Sequence, residues 1–172
     1  NKGLEVIEAH HLFGVELDRI QVLIHPQGWV HSLVEMQDGS VLAQLGPPDM
    51  RLAISYALFY PERVSPPVSL LELAGQSLTF EPPRVQDFPC LQYAYRAGRM
   101  GGTMPAVMSA ADEVAVDCFL RGQIRFPGIS RVVRQVMDEH VPGPARCPAE
   151  ILEADAWARR RAAEVAREVN GA

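Results

Sequence analysis

Lys2 and Glu5 stand three residues apart in a segment of helical pattern, so both side chains fall on one helix face. Asn1 precedes them at the helix start. A helix N-terminus offers unpaired N–H groups and the positive end of the dipole. With Lys2 added, the segment suits a phosphate. Glu5 is a hard oxygen donor of the kind divalent cations take. The same spacing also makes an exposed ion pair worth a few tenths of a kcal/mol. Spacing alone leaves both readings open.

Other residues carry weaker chemical signals. His25 and His31 bracket Pro26-Gln27-Gly28 and could converge on one site. His10 and His11 lie in the first helix outside any HExxH pattern, and His140 ends a later helix, where a cation suits the dipole. Gly98, Gly101 and Gly102 precede a helix, but no GxGxxG or GxxxxGK is present, so they read as a helix-to-helix turn. Asp112, Glu113 and Asp117 read as a solvated acidic face. No GxSxG or Cys/His pair suggests a nucleophile.

These residues must be positioned by a chain of 172 residues, enough to bury a core. A hydrophobic share of 48% and a charged share of 22% are those of a soluble globular protein. The net charge of −5 argues against a nucleic-acid partner, which needs a basic face. Three cysteines without a CxxC point to a reducing compartment rather than a disulfide framework or zinc. No run is long and apolar enough for a membrane partner.

The pattern predicts a helix over 1–13, with Asn1 as N-cap and Gly14 as stop. Residues 19–25 read as a strand. Two more strands, 29–36 and 40–44, flank Asp38-Gly39, a hairpin signal. A helix is expected over 48–60. Five prolines then fall between 61 and 83, with a strand-like stretch at 77–80; 61–86 reads as an extended linker. Helices are expected over 89–98, 103–120, 129–139 and 147–169. Short connections between them suggest a helical bundle. The last should bury Ile151, Leu152, Trp157 and Val165.

Five segments, in order and at matching spacing, carry a resemblance. They are NKGLEVIEAHHLFG (1–14), HPQGWVHS (25–32), DGSVLAQLGPPDMR (38–51), FPCLQYAY (88–95) and GGTMPAVMSAADEVAV (101–116). Together they resemble the C-terminal half of the 1-deoxy-D-xylulose 5-phosphate reductoisomerases. The likeness runs from Asn1 to about Glu139. It implies an NADPH-dependent oxidoreductase of non-mevalonate isoprenoid biosynthesis, using Mg, Mn or Co. Its substrate would be the phosphorylated sugar 1-deoxy-D-xylulose 5-phosphate and its product 2-C-methyl-D-erythritol 4-phosphate. The resemblance makes Asn1 and Lys2 substrate contacts at the phosphate. It makes Glu5 a metal ligand that also contacts substrate. It places His31 at the catalytic centre beside Lys2 and Glu5, and Pro48 and Met50 on the nicotinamide side.

The fold expected on this basis is α+β. Residues 1–60 would be the C-terminal part of a mixed α/β catalytic domain with a sheet that forms a homodimer. Residues 61–86 would be the linker and 87–172 an α-helical domain. The dinucleotide domain and the remaining metal ligands would lie upstream of Asn1, so the 172 residues alone should not turn over. Bacterial cytoplasm is expected, with a plastid left open. Gly28 departs from the family's usual Ser, and Ser109 and Asp112 from its usual Asn. Two rivals stand beside the enzyme: a non-catalytic dimerisation and helical module, and a related oxidoreductase with another phosphorylated substrate.

Overall fold

The computed structural model describes residues 1–65 and 68–170. Its helices are α1 (Lys2–Phe13), α2 (Met50–Phe59), α3 (Cys90–Met100), α4 (Met104–Leu120), α5 (Phe126–Glu139) and α6 (Pro148–Asn170). Strands β1 (Val30–Glu35) and β2 (Val41–Leu45) complete an α+β chain. Two compact units form, one of Asn1–Val22 with Pro83–Ala172 and one of Leu23–Pro82. The expected boundaries at 60 and 87 are therefore not those of the compact units. Residues 1–22 join the helices because α1 seats Val6 and Ile7 in a buried layer and packs on α3.

The helical unit has one continuous core. Met104, Val107, Val132, Val133, Val136, Met137 and Val165 are its largest fully buried side chains. They come from α4, α5 and α6, which pack on one another. α4 and α5 supply branched and long side chains, and α6 supplies Ala154, Ala158, Ala162 and Ala166 at four-residue spacing. A stripe of alanines lets helix backbones approach closely. That is why Ile151 and Leu152, expected inside, stand exposed, with Leu152 at 66%. Val165 is buried as expected, and Trp157 is half-buried.

Thr103 is buried at the entry to α4, yet its side chain caps nothing. Its hydroxyl oxygen accepts from Gly143 N–H at 3.0 Å and pairs with His140 Nε2 at 2.8 Å. Its own N–H donates to the Gly143 carbonyl at 3.1 Å. His140 lies 5.1 Å, centroid to centroid, from Trp157 of α6. Burial lowers the His140 pKa and so favours the neutral ring, whose Nε2 can accept a hydrogen bond from the Thr103 hydroxyl. A His with a folded pKa below its unfolded value contributes stability above the unfolded pKa. That stability is lost progressively as pH falls from about 6.5 towards and through the lower folded pKa. Thermal melts should therefore show the melting temperature dropping between pH 8 and pH 5, with a shallower drop in His140→Gln. An equal drop in both proteins would refute this.

The second unit is built on a hairpin. β1 and β2 pair antiparallel with Leu33 opposite Ala43 and Glu35 opposite Val41. Asp38 turns the chain by accepting from Ser40 N–H at 2.9 Å and Ser40 Oγ at 2.6 Å. Gly39 takes φ 82°, a left-handed value suited to glycine. The register shifts between Val30 and Ser32, so His31 occupies an irregular position. Such bulges re-aim a side chain.

One expected strand does not form. Leu17–Arg19 is a short 3-10 turn, and from 19–25 only Ile24 pairs, with Glu81. A strand needs a neighbour for its whole length, and here the available partner is one residue long. The stretch 77–80 lacks a ladder for the same reason. Pro66 and Pro67 of the expected linker, and residues 171–172 of the expected helical domain, lie outside the described residues. The described remainder of 61–86 carries no helix or strand. It is not free, however, since Glu81 pairs with Ile24 and Thr79 binds Gln27.

Candidate functional site

The first turn of α1 brings Asn1, Lys2 and Glu5 together. Glu5 Oε1 accepts from Asn1 Nδ2 at 2.9 Å, and Glu5 Oε2 accepts from Lys2 Nζ at 2.7 Å. Asn1 was expected to cap the helix with its side chain; instead its amide spans to Glu5, and no side-chain cap bond forms. The helix closes through Glu5 N–H to the Asn1 carbonyl at 3.1 Å. The N–H groups ahead of Glu5 thus remain without an intrahelical acceptor, beside an ammonium and an amide. All three side chains are exposed, Lys2 at 63% and Glu5 at 46%. This is an open, cationic and hydrogen-bond-donating corner holding one carboxylate. An anion can enter, and a cation can be met by Glu5.

Among the described residues, no group of three or more His, Cys, Asp or Glu could hold a metal ion. Glu5 offers a donor of suitable chemistry for Mg or Mn, but as a single ligand.

The other expected site residues lie in the second unit. His31 Nε2 stands 3.1 Å from the Gly46 carbonyl, which can only accept, so Nε2 carries the proton. Gly46 in turn donates its N–H to the Trp29 carbonyl at 2.9 Å. His31 is thereby tied to the loop that leads into Pro48 and Met50. Asp49 caps α2 by accepting from Arg51 N–H, and the Arg51 guanidinium closes on its carboxylate at 2.6–3.1 Å. Those bonds hold the Asp49 carboxyl down to about 2. Pro48 and Met50 flank this cap with their side chains exposed, Met50 at 71%.

His25 and His31 do not share partners. His25 Nδ1 donates to the Thr79 carbonyl at 2.8 Å, and its ring stacks on Phe80 at 4.8 Å. The acidic face of α4 is not uniformly solvated. Glu113 meets Arg159 and Asp117 meets Arg121, while burial pushes the Asp112 carboxyl up. Cys90 is no thiolate: burial, with Asp112 near, pushes it up to about 11. Gly98 falls inside α3, and Gly101 and Gly102 make the expected turn.

Residues 45–161 match the family described as the DXP reductoisomerase C-terminal domain. The chain belongs to the 1-deoxy-D-xylulose 5-phosphate reductoisomerase family. It is 59% identical over 96% of its length to the reductoisomerase of Moorella thermoacetica, of which it covers 43%. It is 53% identical over 98% of its length to that of Synechococcus sp., again covering 43%. A solved reductoisomerase from Zymomonas mobilis in complex with NADPH shares 41% identity and a TM-score of 0.91 over 96% of this chain and 44% of that one. A DOX-P reductoisomerase in complex with NADPH, fosmidomycin and magnesium shares 40% identity and a TM-score of 0.91 over 97% of this chain and 43% of that one. The chain thus spans less than half the length of these reductoisomerases.

One contact was not visible in the sequence. Gly3, between the site residues Lys2 and Glu5, is buried against α3, where a Cβ would come 2.5 Å from Ala94 Cβ. No spacing rule links residue 3 to residue 94.

Proposed function

We propose that this chain is the C-terminal half of an enzyme that converts 1-deoxy-D-xylulose 5-phosphate to 2-C-methyl-D-erythritol 4-phosphate with NADPH and a divalent metal. The observation that carries the proposal is the convergence of Asn1 Nδ2 and Lys2 Nζ on the Glu5 carboxylate at an uncapped helix start. Asn1, Lys2 and the free N–H groups would bind the substrate phosphate, and Glu5 would supply one oxygen ligand to the metal. Exposed ion pairs are worth only about 0–1 kcal/mol. Lys2 can therefore leave Glu5 for a phosphate at little cost, freeing the carboxylate as the anion arrives. When bound, the cation would polarise the substrate carbonyl and NADPH would supply a hydride. Pro48 and Met50 offer exposed apolar surface to the nicotinamide side, and His31 presents its ring from a fixed loop contact.

In the complete protein, residues 1–60 would belong to the catalytic domain, 61–86 to the linker and 87–172 to the helical domain. A homodimer is part of the proposal, supported by exposed Leu33, Val34, Val41 and Leu42 on the hairpin. A cytoplasmic location rests on the bacterial sources of the relatives. Among the described residues, no helix is long and apolar enough to cross a membrane.

Incubating the complete protein with the substrate, NADPH and Mg2+ should consume NADPH, whereas the 172-residue chain alone should not. Absence of NADPH consumption by the complete protein would overturn the reading. Lys2→Ala should raise KM for the substrate about 10- to 100-fold, since a hydrogen bond to a charged group is worth about 1.5–3 kcal/mol. An unchanged KM would remove Lys2 from the phosphate site.

A second substrate within this class has one observation in its favour. Gly28 takes φ 66°, and a Cβ there would meet nothing within 4 Å. The family's usual serine would sit there at a positive φ that residues with a Cβ adopt less readily, and the loop lacks its hydroxyl. Turnover of close substrate analogues by the complete protein decides between the two substrates.

A further inference from the structure

We infer that Gly3, through its contact with Ala94, is the residue that sets where Lys2 and Glu5 stand, a positioning role that rests on the proposed substrate and metal site. Gly3 is buried between two exposed site residues of the same helical turn. A Cβ at Gly3 would lie 2.5 Å from Ala94 Cβ, 3.5 Å from the Cys90 carbonyl oxygen and 3.8 Å from Leu91 Cα. None of these atoms can turn away. The Cβ of Ala94 is fixed by the α3 backbone, and the residue is 1% exposed within the core.

The rest of the seat is equally close. Ala97 is fully buried on α3, and a Cβ on Gly98 would meet Leu17 Cδ1 at 2.9 Å and Ile7 Cγ1 at 3.5 Å. Below it, Tyr95 O–H donates to the Ile20 carbonyl at 2.7 Å, and Arg99 pairs with Asp18 at 2.6 Å. Ile7 in the second turn of α1 and the segment 17–20 that follows α1 are therefore held against α3 as well. Adding one carbon at Gly3 must move the first turn of α1 rather than the whole helix. Ordinary carbon contacts lie at about 3.5–4.0 Å, so the required shift is about 1 Å. A displacement of about 1 Å at a binding constellation costs on the order of 10- to 100-fold. Gly3 contributes no polar group of its own. Its part is to let α1 sit low enough on α3 that the Lys2 ammonium and Glu5 carboxylate reach their places.

The test is made in the complete protein with Gly3→Ala and the double variant Gly3→Ala/Ala94→Gly. Mn2+ binding is followed by electron paramagnetic resonance without NADPH, and kcat/KM is measured separately with Mg2+. Gly3→Ala should weaken Mn2+ binding and lower kcat/KM, each about 10- to 100-fold. The double variant, which removes the opposing methyl, should restore both to within about threefold. A structural role alone would lower the melting temperature of Gly3→Ala and leave the Mn2+ affinity of the folded protein unchanged; that result overturns the inference. So does a double variant that regains stability without regaining Mn2+ affinity. If Gly3→Ala yields no folded protein, Ala94→Ser adds one atom from the opposite side of the contact and carries the same expectation. Weaker and rescued Mn2+ binding in a protein that consumes no NADPH would defeat the proposed reaction and keep the positioning role. Normal turnover with unshifted Mn2+ binding would do the reverse.

Discussion

Glu5→Gln in the complete protein is expected to raise the Mg2+ or Mn2+ concentration needed for half-maximal activity by about 100- to 1,000-fold, while leaving the fold intact. The two halves of this expectation have separate causes. Glutamine keeps the length of the side chain and an oxygen that can still accept from Asn1 Nδ2, now at 2.9 Å from Glu5. The ion pair it loses is exposed, with Lys2 at 63% and Glu5 at 46%, so little stability depends on it. The cation, in contrast, would lose a full negative charge from its ligand set. Removing one fixed electrostatic partner from a reacting centre typically costs about 3–4 kcal/mol, or 100- to 1,000-fold. Substrate affinity through Asn1 and Lys2 should change less, because neither donor is removed. A metal titration with an unchanged midpoint would show that Glu5 is not a ligand. A fall in melting temperature as large as that of a core mutation would show that the carboxylate acts in folding.

That prediction depends on a cluster the sequence only half disclosed. The spacing of Lys2 and Glu5 put them on one helix face, and the structure joins them at 2.7 Å. Spacing placed Asn1 correctly at the N-cap but did not show that its side chain bonds Glu5 instead of a backbone N–H. A cap would use Asn1 Oδ1 as an acceptor, whereas the bond formed uses Nδ2 as a donor to Glu5, and no pattern encodes which rotamer the residue takes. The link from His31 to the Gly46 carbonyl was hidden for a related reason. It depends on a register shift in the hairpin, and one displaced residue changes the face to which a side chain belongs.

Elements governed by local rules were legible. Gly14 stops α1 in a left-handed conformation, Asp38-Gly39 makes the hairpin, and α4, α5 and α6 run where their apolar periodicity put them. Elements that depend on distant partners were not. Residues 19–25 have strand-forming side chains but only a single-residue bridge to Glu81. Ile151 and Leu152 are apolar, yet the face of α6 that packs on α4 and α5 is set by its alanines, because closeness of backbones outweighs side-chain hydrophobicity there. The grouping of α1 with α3 had no local signal at all. It follows from Gly3 meeting Ala94, two small residues far apart in sequence.

A glycine elsewhere in the helical unit should show the largest effect on stability. Gly102→Ala is expected to destabilise the complete protein by about 2–5 kcal/mol, read as a lower denaturant midpoint. Two causes add. Gly102 takes φ 54°, where a residue with a Cβ loses about 1–2 kcal/mol. More important, its Cβ would lie 2.2 Å from the Gly143 carbonyl oxygen and 3.4 Å from the carbonyl carbon. Backbone, not a flexible side chain, would have to retreat. That carbonyl accepts from Thr103 N–H, and the Gly143 N–H donates to Thr103 Oγ1, so one clash breaks both bonds. Thr103 is 3% exposed, and a buried polar group left unpaired costs about 1–3 kcal/mol. Gly101 separates the causes. It takes φ 64° with ψ −153°, itself a region kept almost wholly for glycine, but a Cβ there would meet nothing within 4 Å. Gly101→Ala should therefore cost only its own backbone strain of about 1–3 kcal/mol, with no broken Thr103–Gly143 bonds. Equal losses in the two variants would mean that backbone conformation alone matters. The Thr103–Gly143 bonds would then not be what holds the 140–147 segment to the start of α4.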